Sequence, residues 1–126
     1  WTTSSTIAMA SVSDGVLMLE ASTSDPAITC GNLNFAASKF TTLRFAIKNG
    51  TKSNLSQVFF TTDKDSKMNE EKSYRVTIDT MNENFVEYEV DLTSNSAWAD
   101  TITSLRFDPT AGAGDVAIDY IVLSND

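Results

Sequence analysis

The sequence predicts an all-β fold: two antiparallel sheets packed face to face in a β-sandwich of jelly-roll type. Three observations lead there. Several segments alternate apolar and polar residues with a period of two, as half-buried strands do. Turn-forming stretches separate them at about the 8–12-residue spacing of sandwich folds. No segment carries the 3.6-residue periodicity of a helix three turns long. Strands with one apolar face need a facing sheet to bury it. At 126 residues the chain fits one domain, residues 1–126, with a core of its own.

The elements follow in order. IAMASV from Ile7 and GVLMLEA from Gly15 read as strands around the turn Ser13-Asp14-Gly15. The DPAI turn leads into PAIT, a short strand, and Phe35 to Phe40 holds one short turn. In LRFAIK, Leu43, Phe45 and Ile47 share one face, and Arg44, Ala46 and Lys48 share the other. NGTKSN, 49–54, turns the chain into QVFFTT from Gln57, and DKDSKMNEE, 63–71, is a loop. RVTI points Val76 and Ile78 inward, and MNEN, 81–84, is a turn. VEYEVDL sets Val86, Tyr88, Val90 and Leu92 against Glu87, Glu89 and Asp91. Ser94 to Asp100 holds a second short turn. LRFDP and GDVAIDYIVL close the chain as two strands around TAGAGD, 110–115. With clean alternation in most strands, one face of each sheet is expected to stay solvated and available for binding.

Charge narrows the partners. Nine Lys and Arg stand against seventeen Asp and Glu, a formal net charge of −8. Nucleic acids and anionic membrane surfaces need a basic patch, so neither is expected. Without histidine the chain lacks the commonest general base and the commonest zinc ligand. Cys30 is the single cysteine, so no disulfide closes within the chain, and it reads as a small buried residue. No run approaches the ~20 apolar residues of a membrane span, no signal peptide is read, and Trp1 as first residue points to a processed or excised chain.

Several residues invite a chemical reading. Glu87, Glu89 and Asp91 form a carboxylate row with neighbours about 6.5–7 Å apart. Glycosidases pair carboxylates at about 5–9.5 Å. The chain has few residues for the long loops that enclose a polysaccharide, so a solvated strand face or contacts to sugar hydroxyls fit better than catalysis. Residues 63–71 place oxygen ligands at alternate positions but lack the glycine and distal glutamate of a calcium loop, and they carry two lysines. Asn49-Gly-Thr51 and Asn54-Leu-Ser56 match the glycosylation sequon. By parity Phe45, Phe60, Tyr88 and Phe107 face the core. Phe59 points outward between Gln57 and Thr61, either as a platform for a sugar ring or covered by a loop or the chain terminus. Trp98 lies in a loop, as a lid on the sandwich end or as a contact residue. Arg106 and Asp108 share the outward face of the penultimate strand, where a donor and an acceptor side by side suit a polar, uncharged ligand.

Taken together, SVSDGVLML, DPAI, FTTLRFAIKN, SQVFFTTD, FVEYEVDL, SAWADTITSLRFDP and GDVAIDYIVL resemble a carbohydrate-binding module of the galactose-binding-like β-sandwich type, similar to families 4, 9, 11, 16 and 22 of bacterial glycanases. The closing Arg-x-Asp strand, Gly loop and V-x-I-D strand carry the resemblance most specifically. It implies a non-catalytic, monomeric module, secreted or at the cell surface and tethered to a catalytic domain. Its partner would be a neutral polysaccharide of β-glucan or xylan type, bound on a sheet face. Arg44, Gln57, Phe59, Thr61, Glu87, Glu89, Arg106 and Asp108 are the outward candidates, with Trp98 at the loop tip. Of these, Arg106 and Asp108 match positions that hydrogen-bond sugar in such modules. The resemblance also implies one structural calcium ion, with Asp119 at the acidic position of the V-x-I-D strand; a strand upstream of Trp1 often supplies a further ligand. The alternative is a structural spacer of the same fold that binds no glycan.

Overall fold

A computed structural model describes residues 1–4, 7–13, 15–22 and 26–126. Among the described residues the strands are β1 (Thr2–Thr3), β2 (Ile7–Ser13), β3 (Val16–Ala21), β4 (Ile28–Cys30), β5 (Phe35–Ala36), β6 (Thr42–Asn49), β7 (Leu55–Thr62), β8 (Ser73–Thr77), β9 (Val86–Asp91), β10 (Thr101–Asp108) and β11 (Gly114–Ser124). They form two antiparallel sheets, as the alternation predicts. The first runs β1-β4-β10-β7-β8, with β5 also paired to β10; the second runs β2-β3-β11-β6-β9. The helical segments among the described residues are 3-10 turns at Ala37–Lys39, Glu70–Lys72 and Leu92–Ser94. Among the described residues no helix is long and apolar enough to cross a membrane.

The core fills the space between the sheets. Phe45, Phe60 and Phe107 are at most 2% exposed, and Phe45 from the second sheet meets Phe107 from the first at 4.9 Å between ring centroids. Tyr88 is half-buried beside Phe45 at 5.5 Å. Two expectations change. Alternation holds in β9 but fails in β7, where every residue from Ser56 to Thr62 is buried. β7 lies between β10 and β8, so its inner side chains meet the core and its outer ones lie beneath neighbouring side chains. Cys30 is half-buried rather than enclosed. The turn at 13–15 and the DPAI turn include Asp14 and Asp25, which lie outside the described residues; Gly15 has a φ of 78°, as a tight hairpin turn requires.

A buried polar knot joins the sheets at one end. Asn49, 1% exposed, donates through Nδ2 to the carbonyls of Ser53 (2.8 Å) and Asp79 (2.9 Å). Its Oδ1 accepts from the Thr51 amide (3.0 Å) and hydroxyl (2.7 Å). The first sequon asparagine is thus fully engaged in folding, whereas Asn54 is exposed. The next residue, Gly50, donates its amide to the Asp115 carbonyl at 2.9 Å. A Cβ on Gly50 would stand 2.8 Å from that same carbonyl oxygen. Backbone cannot step aside as a flexible side chain can. Gly50→Ala is therefore expected to destabilise the fold by about 1–3 kcal/mol, read as a lower midpoint in urea denaturation; an unchanged midpoint would show that the β6–β11 approach is loose.

Candidate functional site

Strand pairing divides the residues expected to form one site. β7 and β10 belong to the first sheet and carry Gln57, Phe59, Thr61, Arg106 and Asp108 on its outer face. Arg44 on β6 and Glu87 and Glu89 on β9 lie on the outer face of the second sheet, on the opposite side of the sandwich. Pairing of the acidic strand with β6 makes the separation. The eight candidates are therefore two groups, not one.

On the first sheet the register sets out a row across five strands: Thr2, Thr29, Arg106, Phe59 and Ser73 are successive partners. Asp108, Gln57 and Arg75 form a second row beside it. Thr29, Ser73 and Arg75 escape a reading by parity because only the register brings them to Arg106 and Gln57. Arg106 and Asp108, two apart on one strand face, are joined twice: Nε donates to Oδ1 at 2.7 Å and Nη2 to Oδ2 at 2.9 Å. The Arg106 guanidinium carbon lies 5.0 Å from the centroid of the Phe59 ring, a cation–π contact. Gln57 donates to Glu70 Oε2 (2.6 Å) and Ser73 Oγ (3.0 Å), and the Thr61 hydroxyl bonds those of Thr103 (2.8 Å) and Ser104.

These contacts correct the expected platform. Phe59 is 7% exposed, so its ring is covered, with the guanidinium over it. Gln57, Thr61 and Asp108 are buried as well. The face remains polar: hydroxyls, an amide and an ion pair are held in mutual hydrogen bonds and fixed in place.

The second sheet's outer face is a ladder of cross-strand pairs. Arg44 reaches Glu89 and Asp126, each at 3.0 Å, and Tyr120 donates to Glu87. The hydrogen bond from Arg44 holds the Asp126 carboxyl below its ordinary value, and the bond to Glu87 raises the Tyr120 phenol. The Asp126 clasp therefore contributes stability above the usual carboxylate pKa and loses it as pH falls below that value. Glu87 and Glu89 both serve this pairing.

Trp98 is a lid. Its Nε1 donates to the carbonyls of Ala37 (2.8 Å) and Phe40 (3.1 Å). Its ring packs edge-on against Phe60 at 5.1 Å. Of the two roles read for Trp98, lid or contact residue, these contacts describe the lid.

Among the described residues the acidic side chains do not gather into the calcium site implied by the resemblance. Calcium takes 6–8 oxygen ligands. Asp119 is exposed where β11 shifts register between Ile118 and Tyr120, and among the described residues no group of three or more acidic, histidine or cysteine side chains could hold a metal. The loop at 63–71 has its own cation. The Lys72 ammonium is turned into it, donating to the carbonyls of Asp65 (2.9 Å) and Lys67 and pairing with the Asp65 carboxylate at 3.2 Å. An amide from Lys67 and the Lys72 ammonium hold the Asp65 carboxyl below its ordinary pKa.

Two stability predictions follow from these charges. Asp108 has 8% side-chain exposure, so removing its partner leaves a buried carboxylate poorly compensated. Arg106→Ala is expected to cost about 1–3 kcal/mol, and Arg106→Ala with Asp108→Ala less than the sum of the single changes; additive losses in guanidinium denaturation would mean the two act independently. Lys72→Met should cost a similar ~1–3 kcal/mol by stranding two carbonyls, measured as a drop in the thermal midpoint; a midpoint unmoved would show that the loop needs no cation.

No family model matches this chain, and no curated protein matches it significantly. Solved structures do. A low affinity xylan binding module, CBM86, from Roseburia intestinalis superposes with a TM-score of 0.62 at 11% identity, over 99% of this chain and 93% of the module. The family 11 carbohydrate-binding module of Clostridium thermocellum, in complex with a β-1,3-1,4-mixed-linked tetrasaccharide, gives 0.62 at 13% identity, over 98% and 86%. A glycoside hydrolase family 43 arabinoxylan arabinofuranohydrolase from Bacillus subtilis, in complex with cellotetraose, gives 0.57 at 17% identity, over 87% of this chain and 21% of the hydrolase. The fold of this chain is that of the β-sandwich carbohydrate-binding modules.

Proposed function

We propose that the chain is a non-catalytic module that binds a neutral polysaccharide of β-glucan or xylan type on the outer face of its first sheet. The observation that carries this reading is the in-register row Thr29, Arg106, Phe59 and Ser73, with Asp108 and Gln57 beside it. Sugar hydroxyls both donate and accept, and this face sets donors and acceptors side by side in fixed positions. With the Phe59 ring covered, contact is by hydrogen bonds without ring stacking, and affinity in the micromolar to millimolar range is expected. The net charge of −8 disfavours acidic glycans. The similarity to xylan- and mixed-linkage-glucan-binding modules supports the ligand class. The match to about a fifth of a larger hydrolase chain supports a tethered module of a secreted or cell-surface glycanase. On this reading the module is a monomer and directs its catalytic neighbour to substrate.

A second reading, a spacer domain that binds no glycan, is favoured by the cover over Phe59 and by the engagement of Trp98 in the core. Affinity electrophoresis separates the two. Xylan or a β-glucan in the gel should retard the protein, and pectate should not. Thr29→Val and Ser73→Ala remove one hydroxyl each and should weaken binding about 2–10-fold, as loss of a single hydrogen bond of about 0.5–1.5 kcal/mol implies. Failure of every neutral polysaccharide to retard the native chain would leave the spacer.

A further inference from the structure

We propose that the groove along one side of the sandwich, between β8 and β9, is a second site for a neutral glycan, which adjoins the sheet face at Ser73 and Arg75 and runs from there to the 94–96 end wall. β8 ends the first sheet and β9 ends the second. Their outer edges run beside a groove of about 640 Å³. Residues 73–77 line it from β8 and 89–91 from β9, with Tyr74, Val76 and Val90 among them, and residues 94–96 close one end.

The groove is built and polar. Asn95 ties its end wall together, donating through Nδ2 to the carbonyls of Glu71 (3.0 Å) and Ser73 (3.1 Å) and accepting the Ala97 amide through Oδ1 at 2.9 Å. Asp91 uses Oδ1 to accept from the amide (3.0 Å) and hydroxyl (2.6 Å) of Thr93, which leaves Oδ2 without a partner among the described residues. Arg75 is exposed and, among the described residues, has no ion pair or hydrogen bond. The walls thus offer a strong donor, a strong acceptor and hydroxyls, together with the backbone groups of two strand edges. A ligand dense in hydroxyls matches this set. Two carboxylates, Glu89 and Asp91, stand on the β9 side, so a carboxylated glycan would meet like charge there, which selects a neutral one. The five residues of β8 extend about 13 Å, long enough for a short oligosaccharide lying along the strands.

A peptide strand fits less well. Charged residues guard both edges, Arg75 on β8 and Glu87, Glu89 and Asp91 on β9. An added strand would also extend one sheet in its own plane, about 4.8 Å from the edge, rather than lie between sheets about 10 Å apart.

The test is a titration of ¹⁵N-labelled chain with xylotetraose and with cellotetraose, taken to about 10 mM to reach weak sites. Backbone amides of 89–91 and 94–96 should shift and saturate with at least one of the two. Ser96→Glu, an exposed position on the end wall, should weaken those shifts at least about tenfold while Arg106 and Phe59 amides behave as in the native chain. The face is read separately from the Arg106 and Phe59 amides, so its failure leaves the groove result intact. The proposal is overturned if the edge amides stay still with both sugars, if their shifts are the same in Ser96→Glu, or if an extended Val/Thr peptide moves them and the sugars do not.

Discussion

Arg106 is held twice by Asp108 while its guanidinium lies against the Phe59 ring, and the character of the first sheet's outer face depends on that arrangement. The pair neutralises a carboxylate that would otherwise be buried alone, which is costly in a poorly solvated position. In doing so it covers the aromatic surface that a sugar ring could stack upon. The face is thereby committed to hydrogen bonding. Gln57, Thr61 and Ser73 continue the same chemistry on either side, each already tied to a neighbour. A ligand here meets groups whose orientation is set before it arrives, so little ordering cost accompanies binding, but each contact is modest.

The same economy of charge governs the rest of the molecule. The second sheet's outer face offsets its acids with Arg44 and Tyr120. The long loop after β7 folds around the Lys72 ammonium, which takes the carbonyl oxygens and carboxylate that a metal ion would need. That cation is a side chain delivered by the fold itself. Against this background the groove between β8 and β9 differs, because Arg75 and one oxygen of Asp91 carry no partner among the described residues.

Much of the fold was legible because half-buried strands betray themselves by alternation. LRFAIK and VEYEVDL became β6 and β9; β9 alternates as expected, while in β6 Ala46, on the outward side, is buried as well. β7 was legible as a strand but not in its burial, since a central strand under long neighbouring side chains is enclosed on both faces whatever its pattern. β1 and β5, two residues each, are too short to carry a period. The site was legible in parity and illegible in partnership. Parity says that Glu87 and Arg106 both point away from the core, but strand pairing decides which side of the sandwich each reaches, and pairing is set by tertiary packing rather than by local pattern. Thr29 stayed hidden for the same reason. Parity leaves Phe59 either open or covered, and an arginine far away in sequence covers it.

The most direct test of the account is the crystal structure of the chain soaked with a neutral xylo- or cello-oligosaccharide. The account predicts sugar hydroxyls within hydrogen-bonding distance, about 2.7–3.2 Å, of the row formed by Thr29, Arg106 and Ser73, with the Phe59 ring still beneath the guanidinium. Sugar bound instead on the second sheet beside Arg44 and Glu89, or at the Trp98 end with the first sheet's face bare, would contradict it.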